Sequence, residues 1–280
     1  MKLIPIRTSL VVVLLAIGLV AACTTKPPEP EKPKETPPAK KAMHKGTVTV
    51  GVFRPGVDAF VLRNSNTAGD PEISLTYGIQ GDFYLAGDWD GNGTDTVGVY
   101  RPKTNAFLLR NSNTNGDPEM NVTFGAAGDI PVVGDWDGDG ITTIGVYRPS
   151  SSTFYLRNSN TTGEPDIVVG FGSAGDVPVA GDWDGNGTDT IGVYRPGVNA
   201  FLLRNSNTPG GLDVSVTYGL KDDIPVVGDW DGEGTTTIGV YRRSILAFLF
   251  RNTNTSGDTN VSVTYGIKGD TPVVGDWDGK

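Results

Sequence analysis

The strongest constraint in this sequence is a 47-residue unit that occurs five times without insertion or deletion. The pentapeptide Gly-Asp-Trp-Asp-Gly marks each unit, and its first aspartate recurs at Asp88, Asp135, Asp182, Asp229 and Asp276. Each unit contains four short apolar-rich stretches separated by Gly, Pro, Asn or Asp, the residues that favour tight turns. A repeat of this length, built from short strands, predicts an all-β protein with one four-stranded sheet per unit.

The length of the repeat region predicts how the sheets are arranged. Residues 46–280 make up five whole units, and both ends fall inside the aspartate-rich loop: Lys280 holds its fifth position and Gly46 its sixth. We therefore expect the C-terminal strand to pair with the N-terminal strands and to close a five-bladed β-propeller. An open solenoid would need atypical capping units, and closure removes exposed sheet edges.

The repeated loop has the ligand spacing of a calcium site. Side-chain oxygens stand at positions one, three and five and glycine at position six, as hard cations require. The predicted ligands in the four complete loops are Asp88, Asp90 and Asn92; Asp135, Asp137 and Asp139; Asp182, Asp184 and Asn186; and Asp229, Asp231 and Glu233. The alternative is an Asp/Gly hairpin whose carboxylates cap backbone amides without a metal.

The units resemble the FG-GAP and VCBS repeats of integrin-like propellers over residues 46–280, through Gly-Asp-Trp-Asp-Gly followed by Gly and a strand such as Thr-Val-Gly-Val-Tyr-Arg-Pro. The resemblance implies a calcium-binding loop between two strands of a blade. At position nine, where that family has aspartate, this chain has Thr96, Thr143, Thr190 and Thr237. Asp95 and Asp189 at position eight are expected to substitute in part, which predicts modest affinity. The split fifth loop, with Asp276, Asp278 and Lys280, is expected to bind no calcium.

Two other repeated residue types admit two interpretations each. A tryptophan at position two of every loop favours packing between blades over a sugar-stacking surface, because tryptophan buries a large area. The paired arginines of each unit, such as Arg101 and Arg110, either bind acidic glycans or neutralise loop carboxylates of neighbouring strands, and we expect the second.

The N-terminus has the features of an export signal. Lys2 and Arg7 precede an apolar run that ends in Val-Ala-Ala-Cys, which resembles the lipobox of bacterial lipoproteins. We expect a signal peptide over residues 1–22, a lipid on Cys23 and a disordered Pro/Lys/Glu-rich tether over residues 23–45. An uncleaved signal anchor is the alternative, although the run is short for a membrane span. The resemblance implies a lipid-anchored protein of the bacterial envelope, in the outer membrane if the host is Gram-negative.

The residue inventory excludes several kinds of catalysis. The single histidine, His44, and the single cysteine, Cys23, both precede the repeats, which rules out Ser-His-Asp, Cys-His and histidine-metal sites. Paired carboxylates would suffice for glycoside hydrolysis, but an active site normally breaks symmetry, and these carboxylates repeat. The acidic repeat region also argues against nucleic acid as a partner.

The leading hypothesis is a non-catalytic, monomeric propeller that is anchored to the membrane through its lipid and binds a protein or a glycan, with calcium in its loops. The alternatives are a glycan-active enzyme or lectin subunit using carboxylates near the channel, and an architectural spacer. Departures from the repeat at Phe83, Tyr84, Lys221 and Arg243 mark either a binding site or drift on a tolerant scaffold, and we favour drift.

Overall fold

The computed structural model describes residues 46–280; the predicted signal peptide, Cys23 and tether lie outside the described residues. Within residues 46–280 the chain forms twenty strands in five antiparallel sheets of four. No helix in this range is long and apolar enough to cross a membrane.

The strands follow the repeat unit by unit. The first three are β1 (Thr49–Arg54), β2 (Ala59–Leu62) and β3 (Ile73–Thr76). The second blade has β4 (Phe83–Gly87), β5 (Thr96–Arg101), β6 (Ala106–Leu109) and β7 (Met120–Thr123). The third has β8 (Ile130–Gly134), β9 (Thr143–Arg148), β10 (Thr153–Leu156) and β11 (Ile167–Gly170). The fourth has β12 (Val177–Gly181), β13 (Thr190–Arg195), β14 (Ala200–Leu203) and β15 (Val214–Thr217). The fifth has β16 (Ile224–Gly228), β17 (Thr237–Arg242), β18 (Ala247–Phe250) and β19 (Val261–Thr264), and the last strand is β20 (Thr271–Gly275).

The last strand closes the ring, as the sequence predicted. β20 pairs antiparallel with β1, with Thr49 opposite Gly275, and the Thr47 amide donates to the Lys280 carbonyl at 2.9 Å. The innermost strands β4, β8, β12, β16 and β20 contact one another in cyclic order. The five-bladed β-propeller of four-stranded blades is therefore confirmed.

The core lies between the blades. Trp136 of the third blade packs in one cluster with Ile191 and Val193 of the fourth. The second strand of each blade is covered on both faces, which explains its apolar residues at consecutive positions. All five tryptophans are 3–5% exposed, so the prediction that they pack between blades is confirmed.

Close approach between blades explains the glycine before each loop aspartate. A Cβ on Gly134 would lie 2.8 Å from the Trp136 indole and 3.0 Å from the Cβ of Asp189 in the next blade. Only glycine leaves room for both neighbours.

The antiparallel blades place their connections at two opposite ends of the ring. One end, the loop face, carries the aspartate-rich loops and the loops between the third and outer strands. The other end, the turn face, carries the turns between the second and third strands and the connectors between blades. Gly46 and Lys280 belong to the split aspartate loop, so both ends of the described chain lie on the loop face.

Candidate functional site

The first aspartate of each loop shapes the loop by accepting backbone hydrogen bonds. The Oδ1 atom of Asp135 accepts from the amides of Gly138 (2.8 Å) and Asp139 (3.1 Å), and Oδ2 accepts from that of Gly140 (2.8 Å). Asp88, Asp182 and Asp229 cap the amides at positions five and six in the same way. These hydrogen bonds are the ones expected of an Asp/Gly hairpin in which a carboxylate caps backbone amides. They hold the loop around the carboxylate at position one.

In the third blade the loop also brings three carboxylates together. The ligand oxygens of Asp135, Asp137 and Asp139 lie within 4.8 Å of one another, with Asp137 and Asp139 exposed. Burial raises the pKa of Asp135. Burial, and then the charge of Asp139, raises the pKa of Asp137. A divalent cation bound between these carboxylates would offset the repulsion between their negative charges, and carboxylate oxygens are the hard ligands that calcium prefers. The three residues therefore fit calcium by their chemistry and spacing.

The other predicted loops differ from this one. Asp229, Asp231 and Glu233 do not gather into such a group, and within residues 46–280 the Asp135 loop is the one that does. The loops of Asp88 and Asp182 contribute two carboxylates and an amide each. In the split loop, position five is Lys280 instead of an oxygen-bearing residue, and its Nζ lies 3.6 Å from the Asp278 carboxylate.

The threonine at position nine has a structural role that the sequence did not reveal. Thr143 is buried, and its hydroxyl lies 2.7 Å from the Arg157 carbonyl and 3.2 Å from the Gly134 carbonyl, joining three strands of one blade. Thr96, Thr190 and Thr237 make the same contacts. Position nine is thus a link within the sheet.

An aspartate at position nine should therefore destabilise the protein. We expect Thr143→Asp to lower the free energy of unfolding by about 3 kcal/mol, because a charge would replace a buried hydroxyl facing carbonyl oxygens. Thr143→Ser keeps the hydroxyl and should cost less than about 1 kcal/mol. Urea unfolding of both variants measures the difference, and an unimpaired Thr143→Asp with tighter calcium binding would contradict this role.

Position eight joins each loop to the preceding blade through an arrangement that we call the inter-blade clamp. Its backbone amide donates to the carbonyl of the preceding blade's first loop aspartate at 2.8 Å, in five pairs: Val48 to Asp229, Asp95 to Asp276, Thr142 to Asp88, Asp189 to Asp135 and Thr236 to Asp182. In all pairs but the first, the position-eight side chain accepts the amide of that same aspartate. Asp95 and Asp189 therefore hold neighbouring blades together.

Asp189 has an unusual protonation equilibrium. It lies at the channel beside Asp135, and burial raises its pKa to about 7; the negative charges of Asp135, Asp182 and Asp95 add to the shift. The hydrogen bond from the Asp135 amide opposes this rise. In the folded protein the carboxyl group is consequently half-protonated near neutral pH.

This shift gives a pH-dependent stability with a definite sign. Because the folded pKa exceeds the unfolded value, the folded state binds more protons between about pH 4 and 7, and stability from this group falls as pH rises through that range. We expect Asp189→Asn, which keeps the acceptor oxygen, to be neutral at pH 4 and to stabilise by up to about 4 kcal/mol at pH 8. Urea midpoints at both pH values test this, and parallel pH curves for the two proteins would contradict it.

A central channel with a volume of about 720 Å³ runs between the innermost strands. Its lining includes Tyr84 and the equivalent prolines Pro131, Pro178, Pro225 and Pro272. At the loop face it is lined by Asp88, Asp95, Asp135, Asp182, Asp189 and Asp229. The channel therefore has an acidic mouth on one side of the ring.

The arginine partners differ from those expected. Arg101 forms a bidentate pair with Asp82 on the turn face, at 3.0 and 2.8 Å, and Arg110 lies 3.5 Å from Glu119 on the loop face. The expectation that these arginines neutralise the aspartate-loop carboxylates was therefore wrong. The Arg101 pair recurs as Arg54–Asp270, Arg148–Asp129, Arg195–Asp176 and Arg242–Asp223.

The Phe83-Tyr84 departure is partly a packing exchange. Tyr84 stacks on Phe53, with ring centroids 3.6 Å apart. Phe53 stands where the other blades have a tyrosine. Phe83 remains 40% exposed on the turn face. Of these two residues, only Tyr84 therefore packs against the core.

The chain matches no family model and no curated protein. Solved structures that match include a lectin from Agrocybe aegerita, whose structure concerns recognition of non-reducing terminal N-acetylglucosamine (17% identity, 68% of this chain, 55% of that chain, TM-score 0.38). Another is BBS1N in complex with ARL6DN (12% identity, 73% of this chain, 65% of that chain, TM-score 0.38). The chain spans less than two thirds of either. Its fold rests on its own strand pairing, which defines a closed five-bladed β-propeller.

Proposed function

We propose that this protein is a non-catalytic, lipid-anchored propeller of the bacterial envelope, of the FG-GAP/VCBS type, which binds a protein or a glycan as a monomer. The observation that supports this proposal is that the repeated polar side chains bind one another within the scaffold. The arginine–aspartate pairs, the loop caps and the inter-blade clamp engage the same side chains in blade after blade. Such groups build a rigid frame, and recognition falls to the residues that differ between blades.

Calcium binding at the Asp135 loop is the second part of the proposal. The ion would bridge Asp135, Asp137 and Asp139 and stiffen the loop beside the channel mouth. At a free calcium concentration of 100 times the dissociation constant, binding would add about 2.7 kcal/mol to the free energy of unfolding.

Isothermal titration with calcium tests this part on residues 46–280. The double variant Asp137→Asn/Asp139→Asn should lose most of the binding heat, while its amides leave the oxygen that accepts from Ile141 in place. The matched control is Asp231→Asn in the Asp229 loop, which should bind as the unmodified chain does. Equal heat from all three proteins would remove the calcium site from the proposal.

Ligand binding is tested on a glycan array and by hydrolysis of any glycan retained. Retention without turnover supports a lectin role, and retention of none directs the search to protein partners. Turnover would contradict the non-catalytic assignment.

One observation favours a glycan-active enzyme as the second candidate. Asp189 has a raised pKa and lies among other carboxylates at the channel mouth, and glycosidases pair a protonated acid with an ionised carboxylate. If turnover is found, Asp189→Asn should abolish it, whereas Asp95→Asn at the equivalent position of the second blade serves as the control.

A further inference from the structure

The sequence departures gather on one face of the ring. Phe83 begins β4, Lys221 precedes β16, and Arg243 lies in the turn between β17 and β18, all on the turn face. All three side chains are exposed. Residues that break the repeat and share one exposed face are candidates for recognition.

The same face carries most of the exposed apolar side chains. Of the nine large ones within residues 46–280, seven lie there: Val57, Ile79, Phe83, Val198, Leu220, Ile245 and Ile267, between 40% and 61% exposed. Five of them lie in blades four, five and one and the connectors that join these blades, whereas Ile79 lies in the connector from blade one to blade two and Phe83 begins blade two. The equivalent positions of blades two and three are Thr104, Ser151, Ala126 and Ser173, so the repeat itself tolerates small or polar residues at these tips.

Unpaired cations lie among these tips. Lys221 follows Leu220, Lys268 follows Ile267, and Arg243 lies two residues before Ile245. Within residues 46–280 none of the three has an ion-pair partner, unlike the five arginines bound to buried aspartates. We call these six residues together with Val57 and Ile79 the apolar–basic sector.

The ring is electrically polarised along its axis. The turn-face segments hold nine basic and seven acidic side chains, a net charge of +2. The rest of residues 46–280 holds six basic and 22 acidic ones, a net charge of −16, all on the loop face. Strands of this length separate the faces by roughly 15–20 Å. That separation is about twice the Debye length of ~8 Å at physiological salt. Salt therefore screens an anionic surface at the turn face from the negative charge of the acidic loops.

We propose that the apolar–basic sector binds an anionic lipid surface. Aliphatic turn tips insert at the boundary between headgroups and acyl chains, and adjacent lysines meet the phosphates. The composition fits lipid better than a protein partner, because protein interface centres are enriched in tyrosine and tryptophan and depleted of lysine. Docking this way leaves the channel mouth and the Asp135 loop facing away from the membrane.

Vesicle sedimentation tests the proposal with residues 46–280, which form the closed ring and carry no lipid anchor. The probes are phosphatidylglycerol/phosphatidylethanolamine vesicles and pure phosphatidylcholine vesicles. We expect binding to the first and a partition coefficient that falls about fivefold for each of Lys221→Ala and Lys268→Ala. The triple variant Leu220→Ser/Ile245→Ser/Ile267→Ala should lower the partition coefficient by at least about tenfold. Its new residues already occur at the equivalent positions of other blades, so the fold should tolerate them.

The matched control is Leu212→Ser/Val168→Ser, which removes two equally exposed apolar side chains outside the turn face and should bind normally. Urea midpoints verify that every variant is folded. Failure of the unmodified ring to sediment with either vesicle, or equal binding by the sector variant and the control, overturns the proposal. Because the assay needs neither the anchor nor calcium nor a glycan, its failure would leave the proposed function standing.

Discussion

Replacing Arg101 with methionine is expected to lower the free energy of unfolding by about 3–5 kcal/mol, the usual effect of removing one partner of a buried ion pair. The Asp82 side chain is only 2% exposed, and its carboxylate also accepts the amide of Ile79. Without Arg101 this charge stays buried beside a single backbone donor. Equilibrium urea unfolding at pH 7 measures the loss.

Two controls separate the buried charge from the lost contact. Arg101→Met/Asp82→Asn removes the charge and keeps the acceptor for Ile79, so it should recover most of the stability. Glu119→Gln breaks the Arg110 pair in the same blade. The Arg110 side chain is only 5% exposed, but it keeps its hydrogen bonds to the Asp117 carbonyl and to the hydroxyls of Ser112 and Thr114, so this variant should cost less than about 1 kcal/mol. A loss in the Glu119 variant equal to that in Arg101→Met would contradict the distinction.

Deleting residues 270–280 is expected to abolish cooperative folding. The deletion removes β20, which is the innermost strand of the first blade and contacts both β16 and β4. It also removes Val273 and Trp277 from a core cluster and exposes the edge of β1 to other chains. Near-ultraviolet circular dichroism and urea titration should show no cooperative transition.

A circular permutant provides the matched test of ring closure. Joining Lys280 to Gly46 completes the split loop, since the two ends already meet there, and opening the chain between Asn92 and Gly93 makes the same cut one blade later. This permutant should unfold cooperatively near the midpoint of the parent. A molten permutant, or a folded deletion variant, would show that closure does not hold the fold together.

The fold was predictable because several independent features of the sequence indicated the same architecture. The period of 47 residues, the four strands per unit and the loop cut between its fifth and sixth positions together required a shared blade. The burial of the tryptophans followed from their presence in every unit. The Arg101–Asp82 pair could also have been found, because both residues recur with the same period.

The candidate site was only partly predictable. Spacing placed oxygen atoms in every loop, but it could not show that Asp135, Asp137 and Asp139 converge while Asp229, Asp231 and Glu233 do not. The inter-blade clamp joins residues 54 positions apart, and the Thr143 hydroxyl reaches a carbonyl 14 positions away. Such partners are set by the stacking of blades, which local sequence does not encode.

The clamp is incomplete at one seam, between the fifth and first blades. There Val48 donates its amide to Asp229 but has no side-chain oxygen to offer in return. The same seam adjoins the two ends of the chain, so partial opening of the ring should start here, and among the five clamp amides that of Val48 should exchange fastest. A ring opened at this point keeps the β20–β1 pairing of the first blade but exposes the apolar faces of the fifth and first blades, where Val50 and Val52 pack with Trp230. At high concentration two open molecules would associate through these faces.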